Sequence, residues 1–158
     1  MAFQVGDKVI HLSHGLGDIV KIEDKTIHNS NVRCYEVRTS NLTVWVPVDA
    51  GTRQSLRDPT PRKEFTKLFA VLQEPAEALP EDRYERQKIL LAMLSDGQLI
   101  SVCRVVRDLS NYARNKKLGA DDKSILERAR NSLLTEWVFS LSVPLSEADR
   151  ALKELLNT

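Results

Sequence analysis

Hydrophobic and polar residues alternate strand-fashion through the first part of the chain and change to a helical period after about Asp58. The alternation runs over roughly Lys8 to Leu12, Gly17 to Thr26, Arg33 to Thr39 and Leu42 to Val48, with turn-forming residues between at His14-Gly15, His28-Asn29-Ser30 and Ser40-Asn41. Connections this short make neighbouring strands antiparallel, because a parallel return needs a crossover of about a dozen residues or more. The pattern predicts a meander that curls into a small barrel.

Gly51 to Asp58 reads as a polar linker interrupted by Leu56. Thr60-Pro61 then supplies an N-cap followed by proline at the first helical position, opening a helix to about Gln73. Pro75 to Pro80 breaks the pattern, Glu81 to Ser95 predicts a second helix, and Asp96-Gly97 turns the chain into a third over Gln98 to Lys116 with Leu99, Val102, Val106 and Leu109 as its buried stripe. After Leu118-Gly119, Asp121 or Asp122 begins a fourth helix, where the dipole favours carboxylates; its stripe is Leu126, Ala129, Leu133, Trp137 and Leu141. A last helix follows Pro144, with Ser146 and Asp149 at capping-box spacing. The fold class expected is α+β in two domains: a small antiparallel β-barrel over residues 1–58 and an all-α domain of about five helices over residues 59–158.

Composition narrows the function classes. A net charge of +1 with 28% charged residues excludes a uniformly basic nucleic-acid coat, so any DNA contact must be local. The start Met-Ala-Phe-Gln-Val-Gly-Asp lacks a basic-then-apolar leader, and the two cysteines, Cys34 and Cys103, lack metal or redox spacing, so buried thiols in a reducing cytoplasm are expected. His11, His14 and His28 show no zinc spacing, and Gly15 and Gly17 precede a strand where a phosphate loop needs a helix. No enzyme, metal or cofactor is expected.

Charge in the helical half is uneven. Between Arg104 and Arg130 stand eight basic residues against four acidic ones, and Lys123 and Arg130, seven apart on the fourth helix, share a face. Two readings fit: a solvated helix pair in which Glu127 pairs with Lys123 and Arg130, or a phosphate-contacting patch without sequence code. Trp137 lies on an apolar stripe and reads as core, whereas Trp45 alternates with Val44 and Val46 and fits either barrel core or an exposed anchor.

Taken together, Val5-Gly6-Asp7-Lys8-Val9, His14-Gly15, Ile22-Glu23, Tyr35-Glu36-Val37 and Leu42-Thr43-Val44-Trp45-Val46-Pro47-Val48, followed by Val105-Val106-Arg107-Asp108-Leu109, Leu118-Gly119, Lys123, Leu126 and Ala129-Arg130, resemble the CarD/CdnL family of bacterial RNA polymerase-binding transcription regulators over essentially the whole chain. The β part alone also resembles the polymerase-interacting domain of transcription-repair coupling factors. The resemblance implies a Tudor-like first domain that docks on the polymerase β subunit. It also implies a helical domain that touches promoter DNA at the upstream edge of the bubble, stabilising the open complex without catalysis in the bacterial cytoplasm, on the nucleoid.

On that resemblance, the polymerase-binding residues are Lys25, Trp45 and Pro47; Lys25 matches a usually basic position, and Trp45 stands where Arg is common. The DNA-binding residues are Arg83, Tyr84, Arg86, Lys88, Lys123 and Arg130. Relatives that grip the bubble carry a Trp wedge just before an Arg-Arg-Tyr run. Here the stretch is Leu79-Pro80-Glu81-Asp82-Arg83-Tyr84-Glu85-Arg86, without Trp: an ungapped match puts Arg83 at the wedge, and matching the Arg-Tyr pair puts Pro80 there. Tyr84 is then either the nearest aromatic substitute or a helix-packing residue. The alternative function is a polymerase-anchored adaptor whose helical domain recruits another protein rather than DNA.

Overall fold

The computed structural model describes residues 3–48 and 55–157. The chain forms two compact units, Met1–Pro59 and Thr60–Thr158. Part of the expected linker, residues 51–54, and the first two residues lie outside the described residues.

The first unit is an antiparallel sheet of β1 (Lys8–His11), β2 (Gly15–Ile27), β3 (Ser30–Thr39), β4 (Thr43–Pro47) and β5 (Leu56–Arg57), in the order β4-β3-β2-β1-β5. The four expected strands are present, and Leu56 belongs to a fifth rather than to a linker: it pairs with His11 and is buried among Val9, Ile19, Tyr35, Val37 and Val46. His28 and Asn29 both have positive φ, 49° and 65°, which makes the two-residue turn between Ile27 and Ser30 match the twist of its strands. Gly17 lies between Val9 and Thr39, and a Cβ there would stand 2.9 Å from the Arg38 carbonyl oxygen and 3.0 Å from Val37 Cγ1. Only glycine fits that approach.

A β-bulge interrupts β2 between Ile19 and Lys21. Ile19 faces Val37 and Ile22 faces Tyr35, so both isoleucines reach the core side although they are three residues apart. The extra residue shifts the alternation, and Lys21, Glu23 and Lys25 turn to the outer face instead of the core.

His11 closes the β1–β2 turn. Its Nδ1 accepts the backbone N–H groups of Ser13 at 3.0 Å and His14 at 3.2 Å, an arrangement closed to a protonated Nδ1. Burial, and after it the charge of His14, hold its pKa below the ordinary value. The unfolded chain therefore takes up the proton more readily: the stabilisation is complete above about pH 6.5 and is lost as pH falls below it. His11→Asn keeps an acceptor at that place without titrating, and is expected to flatten the acid-side fall in thermal stability of the sheet unit, followed at Trp45. An unaltered pH dependence in the variant removes His11 as its cause.

The second unit holds α1 (Phe65–Gln73), α2 (Arg83–Leu94), α3 (Leu99–Asn115), α4 (Ala120–Leu141) and α5 (Leu145–Leu156). Leu68, Leu72, Leu90, Leu99, Val102, Val106, Leu109, Leu133, Trp137 and Leu152 fill its core, and Phe69 packs at a tilt against Trp137 with 4.8 Å between centroids. Several helix ends differ from expectation. Thr60 is no cap: its N–H donates to buried Glu136 at 2.8 Å, and a 3-10 turn over Arg62–Glu64 precedes α1. The α4 helix begins at Ala120 after Gly119, and Ile125 takes the buried place with Leu126 only half-buried. Pro144 caps α5, so Ser146 and Asp149 form no capping box. Asp149 instead pairs with Arg130 and, at 3.1 Å, with Lys153.

The connector between α1 and α2 is held from below. Arg107 and Asp108, both buried, pair at 2.8 Å; Arg107 also donates to the Val71 carbonyl and pairs with Glu74, and Asp108 accepts the Glu77 N–H at 3.0 Å. These polar groups satisfy backbone that the prolines leave without helical partners.

Candidate functional site

The outer face of the sheet brings together the three residues that the resemblance marked for polymerase binding. Strand pairing sets Lys21 opposite Glu36 and Glu36 opposite Trp45, Glu23 opposite Cys34 and Cys34 opposite Pro47, and Lys25 opposite Val32. Residues opposite one another project to the same side, so Lys25, Trp45 and Pro47 lie on one face, around a fully buried Cys34. Trp45 is 42% exposed, which excludes barrel core. Its indole N–H donates to Glu23 Oε1 at 3.1 Å, and the Lys25 ammonium stands 4.3 Å from the ring centroid. Glu23 also pairs with Lys21 at 3.0 Å and Lys25 at 3.7 Å. The hydrogen bond from Lys21, and then that from Trp45, hold its carboxyl below the usual range, while the same bond raises Lys21. β4 is an edge strand, and among the described residues one side of its backbone pairs with no other strand.

In the helical unit, Asp82 caps α2 by accepting the Glu85 N–H at 3.0 Å, and Arg83 and Tyr84 occupy the first turn. Tyr84 is 71% exposed, so it is not a packing residue. Arg83 Nη2 donates to its hydroxyl at 3.2 Å and the guanidinium lies 5.0 Å from its ring centroid. Lys88 follows one turn later, exposed. Ile89 and Leu91 are also exposed on this helix, at 43% and 49%.

Arg86 is different. It is buried, paired with Asp122 of α4 at 2.7 Å, and donates to the carbonyls of Pro80 and Glu81 and to the Tyr112 hydroxyl, with its guanidinium 4.7 Å from the Tyr112 ring centroid. The Asp122 bond raises its pKa. A guanidinium so enclosed has no free donor face for a phosphate, and the expectation that Arg86 meets DNA is corrected: it joins the starts of α2 and α4 and the end of α3. Arg130 pairs with Asp149 of α5, both part-exposed, and this pair and then Lys153 lower the Asp149 pKa. Lys123 remains exposed and makes no ion pair among the described residues, so the expected Glu127 pairings are not those formed.

Glu81, Asp82, Glu85 and Asp121 share the starts of α2 and α4 with Arg83, Lys88 and Lys123, and Lys116, just past α3, pairs with Glu81 at 3.1 Å. The field there is mixed. The thiols of Cys34 and Cys103 are buried, and burial followed by the Glu136 charge pushes the Cys103 thiol up to about 12, which makes it unreactive. Among the described residues no group of three or more His, Cys, Asp or Glu side chains could hold a metal, and no helix is long and apolar enough to cross a membrane.

A Tudor-like antiparallel sheet that exposes Trp45 is thus followed by a five-helix unit. Residues 3–58 match the CarD-like/TRCF RID domain, and residues 67–153 match the CarD, C-terminal domain. The chain is 30% identical over 138 residues to the "Putative transcription factor YdeB" of Bacillus subtilis (strain 168), covering 85% of this chain and 89% of that protein. The chain belongs to the CarD/CdnL family of transcription regulators.

Proposed function

We propose that the protein is a non-enzymatic regulator that docks on the β subunit of RNA polymerase through the outer face of β2, β3 and β4. It then stabilises the promoter open complex through contacts of the helical unit near the upstream bubble edge. The observation that carries this reading is the convergence of Lys25, Trp45 and Pro47 on one exposed face beside an open edge strand. A partner strand added along β4 would supply backbone hydrogen bonds, and the alternate side chains would set specificity. Contacts made only in the open complex raise its population by their differential binding energy, about 5- to 150-fold for the usual range of coupling.

The test is copurification with polymerase. The full chain is expected to retain it and a chain lacking residues 1–58 to lose it. Trp45→Ala, in a folded protein, is expected to weaken binding about tenfold or more, as for a central aromatic anchor. Unchanged affinity in that variant sinks the docking face.

DNA contact by the free protein is expected to be weak and salt-dependent. With Arg86 buried on Asp122 and Arg130 paired with the part-exposed Asp149, Arg83, Lys88 and Lys123 remain, so log K against log salt should have a slope of roughly −3 on duplex DNA. Lys123→Ala should lower the slope by about one, and Arg130→Ala should change it little. The mixed charge and the exposed Ile89 and Leu91 on α2 favour a second reading, an adaptor that recruits a protein. A flat salt response would support that reading over the first.

A further inference from the structure

We propose that Glu23 is a positioning residue for the docking anchor: its one carboxylate collects the Trp45 indole N–H and the ammonium groups of Lys21 and Lys25, presetting the ring and the Lys25 cation for a partner. This inference deepens the docking reading and rests on it.

Neither strand order nor packing requires this contact. Glu23 is on β2 and Trp45 on β4, with β3 between them. Directly opposite Trp45 is Glu36, whose carboxylate turns instead to Arg38 at 3.5 Å, while opposite Glu23 is Cys34. Cys34 is small and fully buried, and the Glu23 side chain reaches diagonally across it to the indole. Lys21 and Lys25 are then both ordered around the Glu23 carboxylate: Lys25 stands 3.7 Å from it and 4.3 Å from the ring centroid. An indole exposed on an edge strand would otherwise sample several rotamers, and a partner would have to order it on binding. Holding it beforehand removes that cost, which for one side chain amounts to roughly a two- to tenfold change in affinity.

The experiment measures polymerase affinity of the full chain together with iodide quenching of its tryptophan fluorescence. Trp137 is 3% exposed, so quenching reports Trp45. Glu23→Ala is expected to raise quenching and to weaken binding roughly two- to tenfold. Glu23→Gln keeps an acceptor for the indole but loses both ion pairs, and should fall between wild type and Ala. The effect of Glu23→Ala should shrink when combined with Trp45→Ala, since the carboxylate acts through the ring. If Trp45→Ala leaves affinity unchanged, the docking reading fails and this inference with it. If Trp45→Ala weakens binding while Glu23→Ala alters neither affinity nor quenching, docking stands and the positioning role is overturned. Weaker binding by Glu23→Ala with unaltered quenching, or full additivity with Trp45→Ala, also overturns it, because Glu23 would then touch the partner directly.

Discussion

Asp122→Ala is expected to destabilise the helical unit by about 3–5 kcal/mol, the usual cost of removing one partner from a buried ion pair. Arg86 and Asp122 are 6% and 1% exposed, so the small values typical of surface pairs do not apply. Without the carboxylate, the guanidinium keeps the Pro80 and Glu81 carbonyls and the Tyr112 hydroxyl as partners, but no opposite charge. The start of α4 loses as well, since Asp122 lies in its first turn and the preceding Gly119 offers no side-chain cap. Denaturant unfolding followed at Trp137 reads this unit, while Trp45 reads the sheet unit and should be unaffected. Replacing both partners by apolar groups, Arg86→Met with Asp122→Leu, should recover most of the loss, because the desolvation of both charges disappears together. A loss below about 1 kcal/mol for Asp122→Ala would mean that water satisfies the guanidinium.

That pair also marks where the sequence is legible and where it is not. Local alternation made four strands and the turns between them readable, and the helical stripes of α3 and α4 gave part of the helical core: Leu99, Val102, Val106, Leu109, Ala129, Leu133 and Trp137 are buried. β5 was not readable, because two residues, Leu56 and Arg57, carry no period; their pairing with Ile10 and His11 is a tertiary choice. The bulge left a trace that strict alternation conceals: Ile19 and Ile22 are three apart, with Val20 adjoining. Arg86 looked like one more cation in a basic stretch. Its spacing to Leu90 and Met93, four and seven residues on, places it on the buried stripe of α2, and that signal would have found it. Its partner, 36 residues away, has no local signature. Trp45 and Tyr84 were ambiguous for another reason: an aromatic residue fits core and contact surface equally well, and only exposure separates them.

Tyr84 carries the other large expected effect. Tyr84→Ala should shorten open-complex lifetime about 5- to 150-fold, the equivalent of the 1–3 kcal/mol for one aromatic stacked on a base. The residue is well placed for this. It projects from the first turn of α2, which the Asp82 cap and the Arg86 network hold in place, and Arg83 stacks against one side of its ring. An aromatic wedge offsets the cost of unstacking by stabilising the opened duplex, and Arg83 or Pro80 lacks an equally large flat surface. Because Tyr84 is 71% exposed, its removal should change stability by no more than about 0.5 kcal/mol, so a lost lifetime would reflect contact rather than fold. Tyr84→Phe should keep most of the effect, since stacking needs the ring and not the hydroxyl. Arg83→Trp should lengthen the lifetime beyond wild type by restoring a larger wedge at the neighbouring position. If Tyr84→Ala leaves the lifetime unchanged in a folded protein, Tyr84 is not the wedge. If Arg83→Trp also adds nothing, the start of α2 does not meet the bubble, and its exposed Tyr84, Ile89 and Leu91 are better explained as the contact surface of a recruited protein.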